Sequence, residues 1–223
     1  MIKAVIFDLD GTLLDTLSDL QTAVNRVMNK LGYKQQSYEE VRSKVGSGFR
    51  NLMQRCIDKQ NISDDELDIA EKQMIIEYKE CYHDKTKPYE GIEEMLGKLR
   101  DMNILLAINS NKNDDYTKKL IEINFPYIDI NLVLGKRPGL PVKPDPINNS
   151  ELLQRMNVQK EEVLYVGDSL VDIQTAKNSN LKAISVSWGF VDKEKLESGK
   201  PDYLIDKPQE LVDIIIKINK GEQ

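Results

Sequence analysis

Short apolar runs, separated by amphipathic stretches, recur along most of this chain. Each run is rich in Val, Ile or Leu and ends at a polar residue or a glycine, which is typical of a buried β-strand. The runs predict strands at residues 3–7, 104–108, 130–134, 163–166 and 183–186, with a short edge strand at 203–205. The intervening segments predict helices at residues 92–102, 114–124, 148–156, 171–178 and 208–218. Because strands alternate with helices, we predict an α/β fold with a doubly wound parallel sheet covered on both faces.

Residues 16–83 interrupt this alternation and contain no strand pattern. Apolar residues at helical spacing and two capping boxes, Ser37 with Glu40 and Ser63 with Glu66, predict a run of helices. These helices are predicted at residues 16–31, 38–45, 49–57 and 64–82, with a turn at 61–63. We therefore predict a catalytic core made of residues 1–15 and 84–223, with residues 16–83 inserted as a helical cap domain.

Acidic side chains follow two of the predicted strands. Asp8 and Asp10 come directly after the first strand, Asp168 follows the fourth, and Asp172 lies one helical turn later. Ligands of open α/β sheets bind at the carboxyl ends of the strands, so these acids are expected to meet there. Carboxylates this close repel one another unless a divalent cation or a bound proton offsets the repulsion.

Two further strand ends carry groups suited to an anionic substrate. The hydroxyl and exposed N–H of Ser110, with the backbone of Asn111, are predicted to cradle the oxygens of an anionic group. Lys143, in the Gly- and Pro-rich loop after the third strand, is predicted to neutralise negative charge in the transition state. Asp8 at the strand tip suits the in-line nucleophile, and Asp10 suits a general acid that then serves as base.

The motifs at these strand ends carry a family resemblance. They are Phe-Asp-Leu-Asp-Gly-Thr at residues 7–12, Ser-Asn at 110–111, Lys-Pro at 143–144, and Gly-Asp-Ser at 167–169 followed by Asp172. In this order they resemble the haloacid dehalogenase-like (HAD) hydrolases, in particular the phosphoglycolate phosphatase-like group. The resemblance covers essentially the whole chain and implies a Rossmann-like core with a cap.

The resemblance implies the same roles for the two acids of the first motif, with an aspartyl-phosphate formed on Asp8. It implies a Mg²⁺ ion held by the carboxylates of Asp8 and Asp168 and by the backbone carbonyl of Asp10. Asp172 is expected to hold the metal ligands or Lys143 in place. Thr12 is expected to support the motif loop through a hydrogen bond. Dehalogenation is disfavoured, because dehalogenating relatives lack the second aspartate.

A glycine-containing segment of the cap resembles the substrate loop of phosphoglycolate phosphatase-like proteins. It comprises Gly46, Ser47 and Gly48, with Arg50 close behind. Arg50 or Lys44 is a candidate contact for a carboxylate on the substrate. The alternative is an ordinary turn between helices with solvated charges.

The composition of the chain limits the kinds of partner that it is expected to bind. The formal net charge of -6 argues against a nucleic-acid partner, which requires a basic face, and no apolar run approaches the roughly 20 residues that span a membrane. The N-terminal apolar run breaks at Asp8, which argues against a signal peptide. Only 2 cysteines are present, without close spacing, so a reducing cytoplasm is expected. A monomer or homodimer acting on a small molecule fits these features.

We therefore predict a Mg²⁺-dependent phosphatase that hydrolyses a small soluble phosphate monoester of the phosphoglycolate type. A pyrophosphatase, a sugar-phosphate phosphatase and a phosphoglucomutase-like isomerase are alternatives on the same fold. A non-catalytic module that senses phosphate or binds a partner is the alternative of another class. The presence of Asp8, Asp10, Lys143 and Asp168 together argues against that module.

Overall fold

The computed structural model describes residues 1–46, 48–57 and 62–222. The chain forms two compact units, one of Met1–Leu14 with Pro88–Gln223 and one of Asp15–Lys87. The first unit contains the sheet and the second contains helices, so each is described by itself.

A six-stranded sheet forms the centre of the first unit. Its strands are β1 Ala4–Phe7, β4 Leu105–Asn113, β5 Leu132–Lys136, β6 Val163–Gly167, β7 Lys182–Val186 and β8 Tyr203–Ile205. They lie in the order β5-β4-β1-β6-β7-β8. Neighbouring strands pair in parallel, which confirms the predicted α/β class.

The first strand lies in the middle of the sheet, with β4 on one side and β6 on the other. All four residues of β1 are buried, as expected for a strand covered on both faces. Phe7, the last residue of β1, is level with Ile108 of β4 and with Val166 of β6. The residues that follow these three strands therefore meet at the carboxyl edge of the sheet. This is a topological switch point, because β4 and β5 lie on one side of β1 and β6, β7 and β8 lie on the other.

Helices cover the sheet of the first unit. They are α5 Ile92–Asp101, α6 Asp114–Asn124, α7 Ile147–Met156, α8 Leu170–Asn178, α9 Lys193–Ser198 and α10 Gln209–Lys220. A buried cluster joins Leu152 of α7 and Ile173 of α8 to Ile6, Tyr165 and Ala183 of the sheet. The apolar spacing that predicted α7 and α8 is therefore explained by this packing.

The second unit contains four described helices, α1 Leu17–Lys30, α2 Tyr38–Arg42, α3 Gly48–Ile57 and α4 Asp64–Lys79. Both predicted capping boxes are present, at Ser37 before α2 and at Ser63 before α4. Two helices are shorter than predicted. The helix α2 ends at Arg42 rather than near residue 45, and α4 ends at Lys79 rather than near 82. Ser47 and Asn61, which belong to the predicted glycine segment and turn, lie outside the described residues.

Some elements differ from the sequence prediction. The strand β4 continues through polar residues to Asn113, beyond the apolar run that identified it. The helix α9 was not predicted, because it is short and mostly charged. Two short strands, β2 Leu14–Asp15 and β3 Lys87–Pro88, form a separate two-stranded sheet. Across residues 1–46, 48–57 and 62–222, no helix is both long and apolar enough to cross a membrane.

Candidate active site

Asp8 directly follows β1 and extends the pairing of the sheet. Its N–H donates to the carbonyl of Val166 at 2.9 Å, and its side chain is buried at the carboxyl edge. The ammonium of Lys143 lies 2.8 Å from Asp8 Oδ1. Asp8 Oδ2 has no hydrogen-bond partner among the described residues. One oxygen of this carboxylate is therefore held and the other is available to a ligand.

A tight turn after Asp8 is built around Gly11. This residue has φ +82°, a conformation that glycine adopts without the steric cost other residues incur. The Gly11 N–H donates to the Leu14 carbonyl at 2.9 Å, and the Leu13 N–H donates to the Leu9 carbonyl at 3.0 Å. A Cβ at Gly11 would overlap the carboxylate of Asp168. The turn therefore allows Asp168 to lie directly against the backbone of the first motif.

Asp168 follows β6 and is almost completely buried. Its Oδ2 accepts a hydrogen bond from the Phe190 N–H at 2.7 Å, while Oδ1 has no partner among the described residues. A Cβ at Gly189 would also overlap Asp168, so this loop packs closely against the carboxylate. Burial raises the pKa of Asp168 well above its usual value, and the carboxylates of Asp172 and Asp8 add to that increase.

Three carboxylates meet at this edge of the sheet. One oxygen from each of Asp8, Asp168 and Asp172 lies within 4.8 Å of the others. Burial raises the pKa of Asp8 to about 7, against the opposing effect of Lys143. Repulsion from Asp172 raises it further. When all three carboxylates are ionised, the cluster carries more negative charge than the Lys143 ammonium offsets, which suits a divalent cation.

The donor set fits a cation that prefers oxygen ligands, such as Mg²⁺. The expected carboxylate ligands, Asp8 and Asp168, each keep one oxygen without a protein partner in the described chain. Asp172 is also within the cluster, but both of its oxygens accept hydrogen bonds. Its Oδ1 accepts from Lys143 Nζ at 2.8 Å, and its Oδ2 accepts from the Ser169 N–H at 3.1 Å.

Lys143 is buried between Asp8 and Asp172, with its ammonium 2.8 Å from an oxygen of each. Burial works to lower the pKa of Lys143, but the carboxylates of Asp172 and Asp8 outweigh it, and the pKa is raised well above the usual value. The lysine is therefore held as a cation. Asn111 fixes its backbone, because the Asn111 side chain accepts from the Lys143 N–H at 2.8 Å and donates to the Lys143 carbonyl at 3.2 Å.

The use of the Asn111 side chain was not predicted from the sequence, which suggested only a backbone contribution. Ser110, just before it on β4, is buried, and its Oγ accepts a hydrogen bond from the Lys112 N–H at 3.2 Å. The structure therefore brings Ser110 and Asn111 to the same edge as Asp8 and Lys143.

The contact between Lys112 and Asp10 was also not predicted from the sequence. The Lys112 ammonium donates to both oxygens of the Asp10 carboxylate, at 3.0 Å each. The Lys112 side chain is only 4% exposed. The sequence feature that could have identified Lys112 is its position. It comes directly after the Ser-Asn motif, at a strand end that faces an acidic loop.

Thr12 makes its contacts through the backbone. Its N–H donates to the Leu9 carbonyl at 3.3 Å, and its carbonyl accepts from Trp188 Nε1 at 3.0 Å. The buried Thr12 hydroxyl has no hydrogen-bond partner in the described part of the chain. The expected support of the motif loop therefore comes from backbone groups rather than from the hydroxyl.

The candidate specificity residues lie in the helical unit. The guanidinium of Arg50 is ion-paired with Asp64, Asp68 and Glu71. Lys44 donates from its ammonium to Gln36 Oε1 at 2.5 Å. Both cations therefore have partners within their own unit.

The glycines beside these cations, Gly46 and Gly48, have φ +116° and +82°, consistent with a break between helices. A contact between a substrate and any of the four candidates, Lys44, Gly46, Gly48 and Arg50, stays a prediction.

Comparison with known proteins gives consistent matches. A family model described as haloacid dehalogenase-like hydrolase matches residues 5–186. The phosphoglycolate phosphatase of Vibrio parahaemolyticus is 31% identical over 222 residues, with 96% of each chain covered. That of Nitrosospira multiformis is 34% identical over 195 residues, with 85% of each chain covered.

A solved structure agrees with these relatives. The crystal structure of a predicted phosphoglycolate phosphatase from Haemophilus somnus matches with a TM-score of 0.87 at 25% identity. The match covers 96% of this chain and 98% of that one. The predicted family resemblance and fold are therefore confirmed. Phosphatases of this superfamily generally use a divalent metal, and the buried acidic cluster is suited to one.

The Gly11 turn predicts a large loss of stability on Gly11→Ala. The left-handed φ and the overlap with Asp168 are expected to lower the free energy of unfolding by about 2 kcal/mol or more. Gly97 is the matched control, because it lies inside α5 with no atom near its missing Cβ. Gly97→Ala is expected to raise stability by about 0.5–1 kcal/mol. Urea unfolding measures both, and a Gly11→Ala protein as stable as wild type would contradict the packing described.

The raised pKa of Asp8 predicts a pH-dependent difference between wild type and Asp8→Asn. Folded Asp8 keeps its proton up to a pKa of about 7, whereas the unfolded chain loses it near 3.8. The contribution of Asp8 to stability is therefore present below pH 4 and is lost as the pH rises to about 7. The slope is at most about 1.4 kcal/mol per pH unit.

The asparagine side chain does not titrate, so Asp8→Asn should gain stability relative to wild type over this pH range. The measurement is urea unfolding of both proteins in excess chelator at several pH values between 4.5 and 7.5. A difference that does not change with pH would show that Asp8 is not held in the protonated form by its surroundings.

Proposed function

This chain belongs to the haloacid dehalogenase-like hydrolase family and is a phosphoric monoester hydrolase, and we propose that it hydrolyses a small phosphoglycolate-like ester through an aspartyl-phosphate on Asp8. The observation that carries this proposal is the Asp8 carboxylate at the end of β1. Lys143 holds one of its oxygens at 2.8 Å, and its other oxygen has no partner among the described residues.

In the first half-reaction an oxygen of Asp8 attacks the phosphorus atom. The bond between phosphorus and the ester oxygen breaks, and Asp10 gives a proton to that oxygen as it leaves. The products of this step are the free alcohol and an acyl phosphate on Asp8. The nearby position of Asp10, two residues along the turn from Asp8, supports its assignment as the acid.

The second half-reaction returns both acids to their starting states. Asp10, now a carboxylate, takes a proton from a water molecule as the water oxygen attacks the phosphorus atom of the acyl phosphate. The bond between phosphorus and the Asp8 oxygen breaks, which releases inorganic phosphate and the Asp8 carboxylate. One residue thus serves as acid and then as base.

Phosphoryl oxygens are stabilised by groups around Asp8. The backbone at Ser110 and Asn111 contributes N–H donors, and the Lys143 ammonium contributes positive charge. Support comes from the burial of Ser110 and Lys143 and from the two hydrogen bonds by which Asn111 fixes the Lys143 backbone. A fixed cation of this kind needs little rearrangement when charge develops on the phosphoryl group.

Mg²⁺ is the cation we propose for the acidic cluster, held by the carboxylates of Asp8 and Asp168 and by the backbone carbonyl of Asp10. When bound, it supplies positive charge that offsets the repulsion between a phosphate ester and the Asp8 carboxylate. Asp172 keeps its hydrogen bonds to Lys143 and Ser169 and so orients the groups around the cluster.

A phosphoglycolate-like substrate is proposed because relatives across nearly the whole chain are named phosphoglycolate phosphatases. The helical unit of Asp15–Lys87 is proposed to act as the cap that selects the leaving group, since the phosphoryl-handling residues all lie outside it. Lys44 or Arg50 would have to exchange a present partner for a substrate carboxylate.

We also propose a cytoplasmic monomer or homodimer, without a nucleic-acid or membrane partner. Both thiols, Cys56 and Cys81, are free and buried. Burial raises the pKa of each to about 11, which keeps them protonated and unreactive at neutral pH. Such thiols need no oxidising compartment.

The proposed function is tested by phosphate release from a panel of compounds, with Mg²⁺ and with chelator. The panel contains phosphoglycolate, glycerol phosphate, glucose 6-phosphate, pyrophosphate and p-nitrophenyl phosphate. We expect the highest kcat/KM for phosphoglycolate and loss of turnover on chelation. A preference for pyrophosphate or a sugar phosphate would contradict the substrate class, and no release from any compound would contradict the phosphatase reaction in this chain.

The role of Asp8 predicts that Asp8→Asn abolishes turnover and leaves the fold intact. Asparagine keeps an oxygen that accepts from Lys143 but is a very poor nucleophile, so kcat should fall by about 10⁴-fold or more. The matched control is Asp115→Asn, which makes the same change on an exposed residue of α6 and should have wild-type kcat. Substantial activity in a folded Asp8→Asn protein, checked by circular dichroism, would rule out Asp8 as the nucleophile.

A further inference from the structure

The ion pair between Lys112 and Asp10 differs from the surface ion pairs of this chain. The Lys112 ammonium lies 3.0 Å from both carboxylate oxygens, and the lysine side chain is 4% exposed. In the Lys118–Asp114 pair of α6, by contrast, the lysine side chain is 52% exposed. A buried ammonium that donates to both oxygens restricts the direction of a carboxylate far more than an exposed one.

We propose that Lys112 is a positioning residue for Asp10. The inference rests on the phosphatase reaction proposed above and adds a residue to it. In the acid form, one Asp10 oxygen accepts from Lys112 while the other carries the proton that passes to the leaving oxygen. In the carboxylate form that then accepts a proton from water, both oxygens accept from Lys112. Lys112 itself does not touch the phosphoryl group.

Lys112 is suited to this role because its own backbone is held in place. Its N–H donates to Ser110 Oγ at 3.2 Å, and its carbonyl accepts from Thr117 Oγ1 at 3.3 Å. Thr117 belongs to α6 and is fully buried. The lysine side chain therefore extends from a fixed point on β4 to the turn after β1 and joins two segments that are distant in sequence.

The two buried lysines of the site bind different acids. Lys143 bonds to Asp8 and Asp172, within the acidic cluster, whereas Lys112 bonds to Asp10. The Asp10 carboxylate is thereby kept apart from the cluster proposed to hold the cation. In the described chain both Asp10 oxygens accept from Lys112, so without this lysine the carboxyl group would be free to turn away from the leaving oxygen.

The test compares two substrates that differ in their need for a proton. An alkyl phosphate such as glycerol phosphate has a leaving oxygen that must be protonated, whereas p-nitrophenolate leaves without one. The kcat/KM value reports phosphoryl transfer to the enzyme, in which the leaving group departs. Lys112→Met should lower kcat/KM for the alkyl ester by about tenfold to a hundredfold, and for the aryl ester by less than about threefold.

Matched variants separate positioning from other effects of the substitution. Lys112→Arg keeps the charge and the capacity to donate to both oxygens, so it should recover most of the activity on the alkyl ester. Lys118→Met removes an exposed lysine of α6 and should match wild type on both esters. If Lys112→Met does not fold, kcat/KM on the two esters is compared between Lys112→Gln and Lys112→Arg instead.

A second measurement asks whether Lys112 acts through Asp10. In an Asp10→Asn background, adding Lys112→Met should change kcat/KM by less than about twofold, because the residue it positions is already disabled. Equal losses on both esters in the single variant, or losses that multiply in the double variant, would overturn the proposal.

A loss limited to phosphoglycolate and absent for glycerol phosphate would also overturn it, since Lys112 would then bind the substrate carboxylate. A result that contradicts the phosphatase proposal itself is distinguishable from these outcomes, because the wild-type protein would then release no phosphate from either ester.

Discussion

Burial of Asp8 beside two further carboxylates is the constraint on which the rest of the site depends. Asp8, Asp168 and Asp172 bring oxygens within 4.8 Å of one another, and the ammonium of Lys143 lies between Asp8 and Asp172. Burial and mutual repulsion raise the pKa values of Asp8 and Asp168. The divalent cation that we propose would relieve this repulsion and leave Asp8 ionised, which is the form required by its proposed role as nucleophile.

The surrounding chain is shaped so that these groups approach closely. Gly11 and Gly189 have no Cβ, and a Cβ on either would overlap Asp168. Asn111 fixes the Lys143 backbone with two hydrogen bonds, and the Ser169 capping box fixes Asp172 at the start of α8. Each charged group is thus held by neighbours that are themselves part of strands, helix ends or tight turns, which is the condition for preorganised catalysis.

The sequence was sufficient to locate the strands and the residues at their ends. Buried parallel strands are continuous apolar runs, and the carboxyl ends of β1, β4 and β6 meet at one edge, so the proximity of Asp8, Ser110 and Asp168 follows from the fold class. Capping boxes fixed the starts of α2 and α4, because their side-chain hydrogen bonds are local in sequence.

The contacts that sequence did not reveal depend on where long side chains extend in three dimensions. Lys112 meets Asp10, 102 positions away in the chain, and Asn111 meets Lys143, 32 positions away. Arg50 pairs with three acids of α4, a choice of partners that no local pattern encodes. The polar end of β4 was missed because hydrogen bonding to β5, rather than apolar character, keeps it extended.

The central claim, a covalent intermediate on Asp8, is tested most directly by trapping it. The Asp10→Asn protein is mixed with p-nitrophenyl phosphate and Mg²⁺, quenched in acid within the first turnover and treated with borohydride, which reduces an acyl phosphate to the alcohol. Peptide mass spectrometry should then find homoserine at position 8 and unchanged aspartate at positions 168 and 172. Homoserine at another position, or a burst of p-nitrophenol with position 8 unmodified, would contradict the account.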